Sequence, residues 1–432
     1  MTTFDSRSGA SRKPEVWITG LGLVSSHGAG NAAHQALLMD DRCNPVIDET
    51  RFAPYPVHPL ADIDFCAQIE RKGDLRQMGI WQRIGVYAAG LALDDAGLSG
   101  KQELLDKTDL IVAAGNGERD EVADGNVLAA LADAPSSCGA LTGAAFGKAL
   151  NKALQTAFRP TLYLAELSNL LAGNISIVHG VTGSSRTYKG EEMAGVSAIE
   201  DAVRRIESNQ GECFLVGGAF NSERADLTLS YELCGALWQG PFKSVWGRSS
   251  LSDGNGGFIM GSLGAFLVLE SDAHAKARGR KPYGRISAVA SGQAKRSTDE
   301  RYEAGNADPL LQELNAKLDA PLRPGALGVL SGASGVESAT SNELGWLDGL
   351  ESNGVAPAIR AFGTLLGHSV EAHFPAGLAL AALAIAEGRF FRPFDDSGRE
   401  RLFEGAPTRL LVTGWGHWRG EGLALVETVD TH

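Results

Sequence analysis

Thiols, imidazoles, hydroxyls and carboxylates are the groups from which this 432-residue chain could build a nucleophile or an ion site. The five cysteines, Cys43, Cys66, Cys138, Cys213 and Cys234, are scattered without a Cys-x-x-Cys pair. An odd number lacking a pairing pattern argues against both a disulfide framework and a zinc site, so neither metal nor cofactor is expected. Cys138, in Ser136-Ser137-Cys138-Gly139, superficially resembles an active-site thiol string. The Ser184-Ser185 pair has no histidine or acid at motif spacing to activate either hydroxyl. Gly20-Leu21-Gly22 lacks the rest of a dinucleotide fingerprint and its ribose-binding acid, which rejects a nucleotide site there.

The elements that must position such groups alternate. Val16 to Gly22 is a short apolar strand running into a glycine turn, followed by a helical stretch near Ala32 to Met39. Gln82 to Ala96 has apolar residues at helical spacing. Asp109 to Ala114 and Cys213 to Val216 are buried-type strands. Thr161 to Leu171 reads as mostly helix, and Ala194 to Ile206 as a clear one. Gly264 to Leu269 and Gly284 to Ser291 are strands, with His274 to Ala277 between them. The second part repeats this grammar: strand Leu327 to Leu330, a helix near Asn342 to Glu351, helix Ala376 to Ala386, then strands Leu410 to Thr413 and Leu423 to Val426. Strands alternating with helices imply an α/β protein whose sheets are covered on both faces. A flexible N-terminus over residues 1–14, one half over 15–270 and a similar half over 271–432 are expected.

Hydrophobic residues make up 44% of the chain and charged ones 21%, a globular composition. No apolar run approaches the roughly 18 residues of a membrane span, and the polar start lacks a signal-peptide core. A cytoplasmic protein follows as the default. The net charge of −13 suggests no nucleic-acid face.

Val16 to Gly22 resembles the opening V-x-T-G-x-G strand of β-ketoacyl-ACP synthases. Glu166 to Gly180, Leu215 to Ala219, Gly257 to Glu270 and Ala273 to Gly279 resemble later anchors of that family, in family order. The resemblance implies a thiolase-like fold, two similar halves forming a five-layered α-β-α-β-α sandwich, normally dimeric. It also implies a decarboxylating condensation that needs a thiolate at a helix N-terminus and two histidines that bind the malonyl carbonyl. Counting back from Gly217-Gly218-Ala219 places Glu192 at the nucleophile position. There it is either an acidic analogue of the glutamine in decarboxylating or chain-length-factor relatives, or a carboxylate stabilised by the helix dipole by about 0.3–1 kcal/mol. Cys138 precedes the Asn169-to-Gly173 anchor instead of following it, which makes it a loop or interface residue.

The family's first histidine falls on Gly332, with Glu343 matching a downstream acid. Its second falls on Thr364, with Arg360 one place from the family lysine and Phe362 between them. His368 and His373 lie close by; one of them substitutes for a lost histidine, or each sits on a loop or helix face with no catalytic duty. The closing G-F-G-G-x-N loop becomes Gly414-Trp415-Gly416-His417-Trp418-Arg419, whose tryptophans either narrow the acyl pocket or pack in the core. With all three catalytic positions changed, the expected function is a non-catalytic, chain-length-factor-type subunit. It would form a heterodimer with an active ketosynthase and meet the acyl carrier protein through that partner. The alternatives are an enzyme with altered chemistry, such as decarboxylation or Glu-based acyl chemistry, and a homodimeric acyl-binding scaffold.

Overall fold

The computed structural model describes residues 13–40, 43–132, 143–158, 164–248, 256–292, 307–317, 325–352 and 354–429. Its ten main strands are β1 (Val16–Ser25), β2 (Asp109–Ala114), β3 (Ser185–Lys189), β4 (Cys213–Phe220), β5 (Leu263–Ser271), β6 (Gly284–Gly292), β7 (Gly325–Ser331), β8 (Val355–Ala361), β9 (Arg409–Trp415) and β10 (Glu421–Glu427). They hydrogen-bond in the order β8-β7-β9-β10-β6-β1-β5-β4-β2-β3.

That order is a duplication. β1 is antiparallel to β5 and β5 to β4, whereas β4, β2 and β3 run parallel. Five strands later, β6 is antiparallel to β10 and β10 to β9, whereas β9, β7 and β8 run parallel. The two sets join through a short antiparallel ladder in which Val16 faces Ile286 and Ile18 faces Gly284.

Eight helices matter for the site: α1 (Ile80–Asp95), α2 (Glu121–Ala132), α3 (Gly143–Ala157), α4 (Leu170–His179), α5 (Glu192–Glu207), α6 (Ala307–Lys317), α7 (Glu337–Ser352) and α8 (His373–Glu387). α1 and α4 cover the outer face of the first strand set through Ile84, Val86, Leu171 and Ile175. α6 and α7 cover the outer face of the second through Leu310, Leu314, Trp346 and Leu347. α5 and α8 lie between the two sets and share one core with both. The result is the five-layered thiolase-like sandwich.

Position explains composition. α8 touches protein on every side, and its sequence HFPAGLALAALAIAE is apolar all round. Length and mean hydropathy of 1.3 would let Val370–Glu387 cross a membrane, contrary to the expectation that no segment reaches that length. With 89% of it buried, it is a core helix. Close approach explains the glycines of β1. A Cβ on Gly22 would stand 1.9 Å from the Ala88 carbonyl oxygen, and one on Gly20 would stand 2.5 Å from that of Ala92. The Gly-x-Gly pair lets α1 lie flat on the strand.

Five of these elements lacked a sequence signal, α6 among them. α2 and α3 form a hairpin that exposes Val122, Leu128, Phe146 and Leu154. β3 is the sheet's edge and reads Ser-Arg-Thr-Tyr-Lys, exposed or half-buried throughout, so no apolar pattern announces it. β8 runs into the loop in which the lost histidine was sought. Of the expected flexible N-terminus, Lys13 and Pro14 are described; residues 1–12 lie outside the described residues.

Gly22→Ala should force α1 off β1, and overpacking of this kind costs about 1–3 kcal/mol. Urea denaturation of variant and wild type checks this; an unchanged midpoint would mean that the contact yields freely.

Candidate functional site

The N-terminal ends of α5 and α8 meet in the middle layer. Gly195 lets them do so, because a Cβ there would lie 2.5 Å from the Glu371 carbonyl oxygen in the turn leading into α8. Glu192, the first residue of α5, is 4% exposed. Its Oε1 lies 3.0 Å from Nε2 of His368 and 3.2 Å from Nδ1 of His417. His417 is anchored on its other side, Nε2 to the Ser334 hydroxyl at 2.7 Å. The Phe258 ring packs against both imidazoles, 5.3 Å from His368 and 5.0 Å from His417. His373 stacks on Phe362 at 4.1 Å and sits 4.4 Å from the His368 ring.

Three segments deliver these side chains. His417 comes from the β9–β10 hairpin, closed by a Gly416 N–H to Gly420 carbonyl bond of 3.0 Å. His368 follows Gly367, whose φ of 72° turns the chain out of the short Gly363–Leu366 helix. A single 3₁₀ turn, Val370–Ala372, then runs into α8. Val370 has a φ of 43°, a conformation costly for a β-branched residue.

Electrostatics sharpen the arrangement. Burial alone would raise the Glu192 carboxyl, but the charge of His417 together with the hydrogen bond and charge of His368 outweigh it, and the group is lowered to about 2. The N-terminus of α5 favours the same negative charge. Burial, and then the neighbouring His368 and His417, push His373 well below its ordinary value, so it is neutral. Burial, reinforced by the Glu192 charge, raises Glu371 to about 8. A cavity of about 230 Å³ adjoins the start of α5, walled by Trp81, Asn116, Glu191, Arg224, Tyr231 and Glu371 among others.

Of the candidate imidazoles, His368 and His417 both contact Glu192, whereas His373 stacks on Phe362 beside them. Thr364 does not contact Glu192; its hydroxyl accepts the Val245 N–H at 3.1 Å. A Gly-His dipeptide stands at Gly367-His368, four residues beyond Gly363-Thr364, and it was the available signal for the residue that contacts Glu192. Gly332 follows β7, and its own Cβ space is filled by the Thr413 carbonyl at 2.6 Å, while Ser334 two residues on holds His417. No local pattern marks His417, because the hairpin and the helix starts converge in space alone.

The other candidates do structural work. Arg360 is buried on β8, donating to the Phe391 carbonyl at 2.8 Å and lying over the Phe390 ring. Trp415 packs on Trp346 in the core, so it does not narrow the cavity, whereas Trp418 stacks on cavity-lining Tyr231. Glu343 is buried away from Glu192, accepting from Ser331 Oγ at 2.7 Å and from Thr413 Oγ1. Cys43 and Cys213 are buried elsewhere and Cys66 and Cys234 are exposed; among the described residues no thiol touches the cluster. Cys138 lies outside the described residues.

Fold and site together define a ketosynthase scaffold of the thiolase type with a carboxylate at the start of its first central helix. The family model for the beta-ketoacyl synthase N-terminal domain matches residues 13–275, and the chain belongs to that family. It is 26% identical over 286 residues to 3-oxoacyl-[acyl-carrier-protein] synthase 2 of Vibrio harveyi, which covers 63% of this chain and 62% of that protein. It is 28% identical over 287 residues to the actinorhodin polyketide putative beta-ketoacyl synthase 2 of Streptomyces coelicolor, covering 64% and 63%. These matches span less than two thirds of either relative. Among solved structures, the ishigamide ketosynthase/chain length factor superposes with a TM-score of 0.76 at 19% identity, over 97% of this chain and all of that one, a likeness of fold.

Burial raises Glu343 from 4.5 to about 7 against the opposing pull of its two hydroxyl donors. An acid whose folded value is raised binds its proton more tightly when folded. Its contribution to stability is complete below the unfolded value and is lost as pH climbs through the folded one. Thermal unfolding followed from about pH 5 to about pH 8 should decline less steeply for Glu343→Gln than for wild type across that window. Parallel curves would show that Glu343 is already ionised.

Proposed function

We propose that this chain is a non-condensing, chain-length-factor-type subunit that pairs with a cysteine-bearing ketosynthase in fatty acid or polyketide assembly, in the cytoplasm. The observation that carries the reading is Glu192 at the nucleophile position, buried and held by His368 and His417. A carboxylate taking an acyl group from a thioester would form a mixed anhydride, less stable than the thioester it came from. Ionised and already engaged, Glu192 is also a poor nucleophile. His368, which a condensing site would need for the substrate carbonyl, is spent on the protein's own carboxylate.

Pairing has its own support. β3 leaves a sheet edge open to another strand. The α2–α3 hairpin exposes Val122 at 68% and Leu128 at 66%, apolar surface of the kind that marks an interaction face. A ketosynthase partner would cover both and bring the acyl carrier protein with it. The ishigamide ketosynthase/chain length factor bears a name consistent with this reading.

The surviving imidazoles favour a second reading, decarboxylation of a malonyl thioester. The Glu192 charge opposes it by repelling the malonyl carboxylate from the same place.

Intact-mass spectrometry after incubation with octanoyl-N-acetylcysteamine should show no adduct on wild type, and one on Glu192→Cys located at residue 192. An acyl adduct on the wild-type chain would overturn the non-condensing reading. Malonyl-N-acetylcysteamine should remain intact with the wild type; release of the acetyl thioester would establish the second reading instead. Co-expression with a Cys-His-His ketosynthase of the same genome, followed by native mass spectrometry, should give a one-to-one heterodimer. A persistent homodimer with every such ketosynthase would refute the pairing.

A further inference from the structure

We propose that Glu192, His368 and His417 bind one divalent transition-metal ion of the zinc type. The proposal goes beyond the subunit reading and stands whether or not the chain pairs with a ketosynthase.

The donor set is the first argument. One carboxylate oxygen and two imidazole nitrogens, all within 4.8 Å of one another, are ligands that zinc, cobalt(II) and iron(II) accept. A tetrahedral centre with bonds of about 2.0–2.1 Å separates its ligand atoms by about 3.3–3.4 Å. The carboxylate-to-imidazole separations here are 3.0 and 3.2 Å, close to those two edges of such a centre, and the two imidazole nitrogens lie within 4.8 Å of each other.

Charge is the second. A carboxylate this deeply buried needs a cation beside it. Among the described residues no lysine or arginine pairs with Glu192, and its side-chain partners are the two imidazoles. Without an ion that positive charge must come from protons on the imidazoles; an ion would take the place of those protons and leave both rings neutral ligands. The N-terminal ends of α5 and α8 disfavour a bare cation, so the carboxylate charge is indispensable to the site.

An unmet polar group is the third. Glu192 Oε2 is buried without a hydrogen-bond partner and could supply a second carboxylate oxygen to the ion. Of the two imidazoles, His417 carries outer-shell support, its Nε2 resting on Ser334. The aromatic face of Phe258 braces both ligand rings.

A second gathering of donors, Cys213 with Glu270 and His274, lacks these features. Glu270 already accepts from Thr19 at 2.8 Å and pairs with the Arg278 guanidinium at 3.1 Å, a cation that excludes another.

The test loads tag-free, chelator-treated full chain with zinc chloride or cobalt(II) chloride. Native mass spectrometry counts the ion, and the visible absorption of low-coordinate cobalt reports its geometry. One equivalent per chain is expected, with the cobalt band abolished in Glu192→Gln and affinity falling at least about tenfold in His417→Ala, since even outer-shell losses cost that much. His373→Ala should keep the ion. Where a ligand variant fails to fold, the wild type decides: its melting temperature should rise with zinc and return with chelator. No stoichiometric ion on the wild type, or an undiminished cobalt band in folded Glu192→Gln, overturns the proposal.

Discussion

A carboxylate removed from water must be answered by positive charge or by hydrogen bonds, and here that demand falls on Glu192. The residue sits where two central helices begin, so both of its partners come from the other half of the duplication. The β9–β10 hairpin supplies His417, the turn before α8 supplies His368, and α5 supplies the acid itself. Three segments far apart in sequence are tied by one oxygen atom. The geometry of the middle layer and the chemistry of the cavity are in this sense one constraint.

The same constraint separates this chain from a condensing enzyme on the same scaffold. A thiolate at a helix N-terminus gains from the dipole and stays available to an electrophile. A carboxylate there gains from the dipole too, but the imidazoles that would have served a substrate become its counter-charges. Glu371, facing the adjoining cavity, is protonated in neutral solution, so the cavity is polar without bringing a second anion to Glu192. The scaffold has kept its fold and redirected its polar groups inward.

Most of the scaffold was legible in the sequence because buried strands and central helices carry dense apolar patterns. β2 was legible over its full length, and α5, β4, β5, β6, β7 and α8 to within a few residues at their ends. β3 was invisible because an edge strand buries little, and the α2–α3 hairpin because its apolar residues face outward. The acid at residue 192 was found by counting along a gap-free helix. The imidazoles were legible only as candidates, for two physical reasons. A loop carries no helical or strand periodicity, so nothing ranked His368 above His373 as the one that reaches Glu192. The approach of His417 to Glu192 depends on the way a hairpin folds over a helix start, which leaves no trace in local spacing.

One backbone feature gives the cluster a mechanical character. Val370 occupies left-handed territory between His368 and His373, and such residues cost on the order of 1–3 kcal/mol that the surroundings must hold in place. The turn that could relax it is the turn that carries His368 to Glu192 and Glu371 to the cavity wall. Unwinding would swing an imidazole and a neutral acid away together, leaving an isolated anion behind. The segment from Gly367 to His373 is thus clamped on both counts, its strained backbone by the core that buries it and its leading imidazole by Glu192.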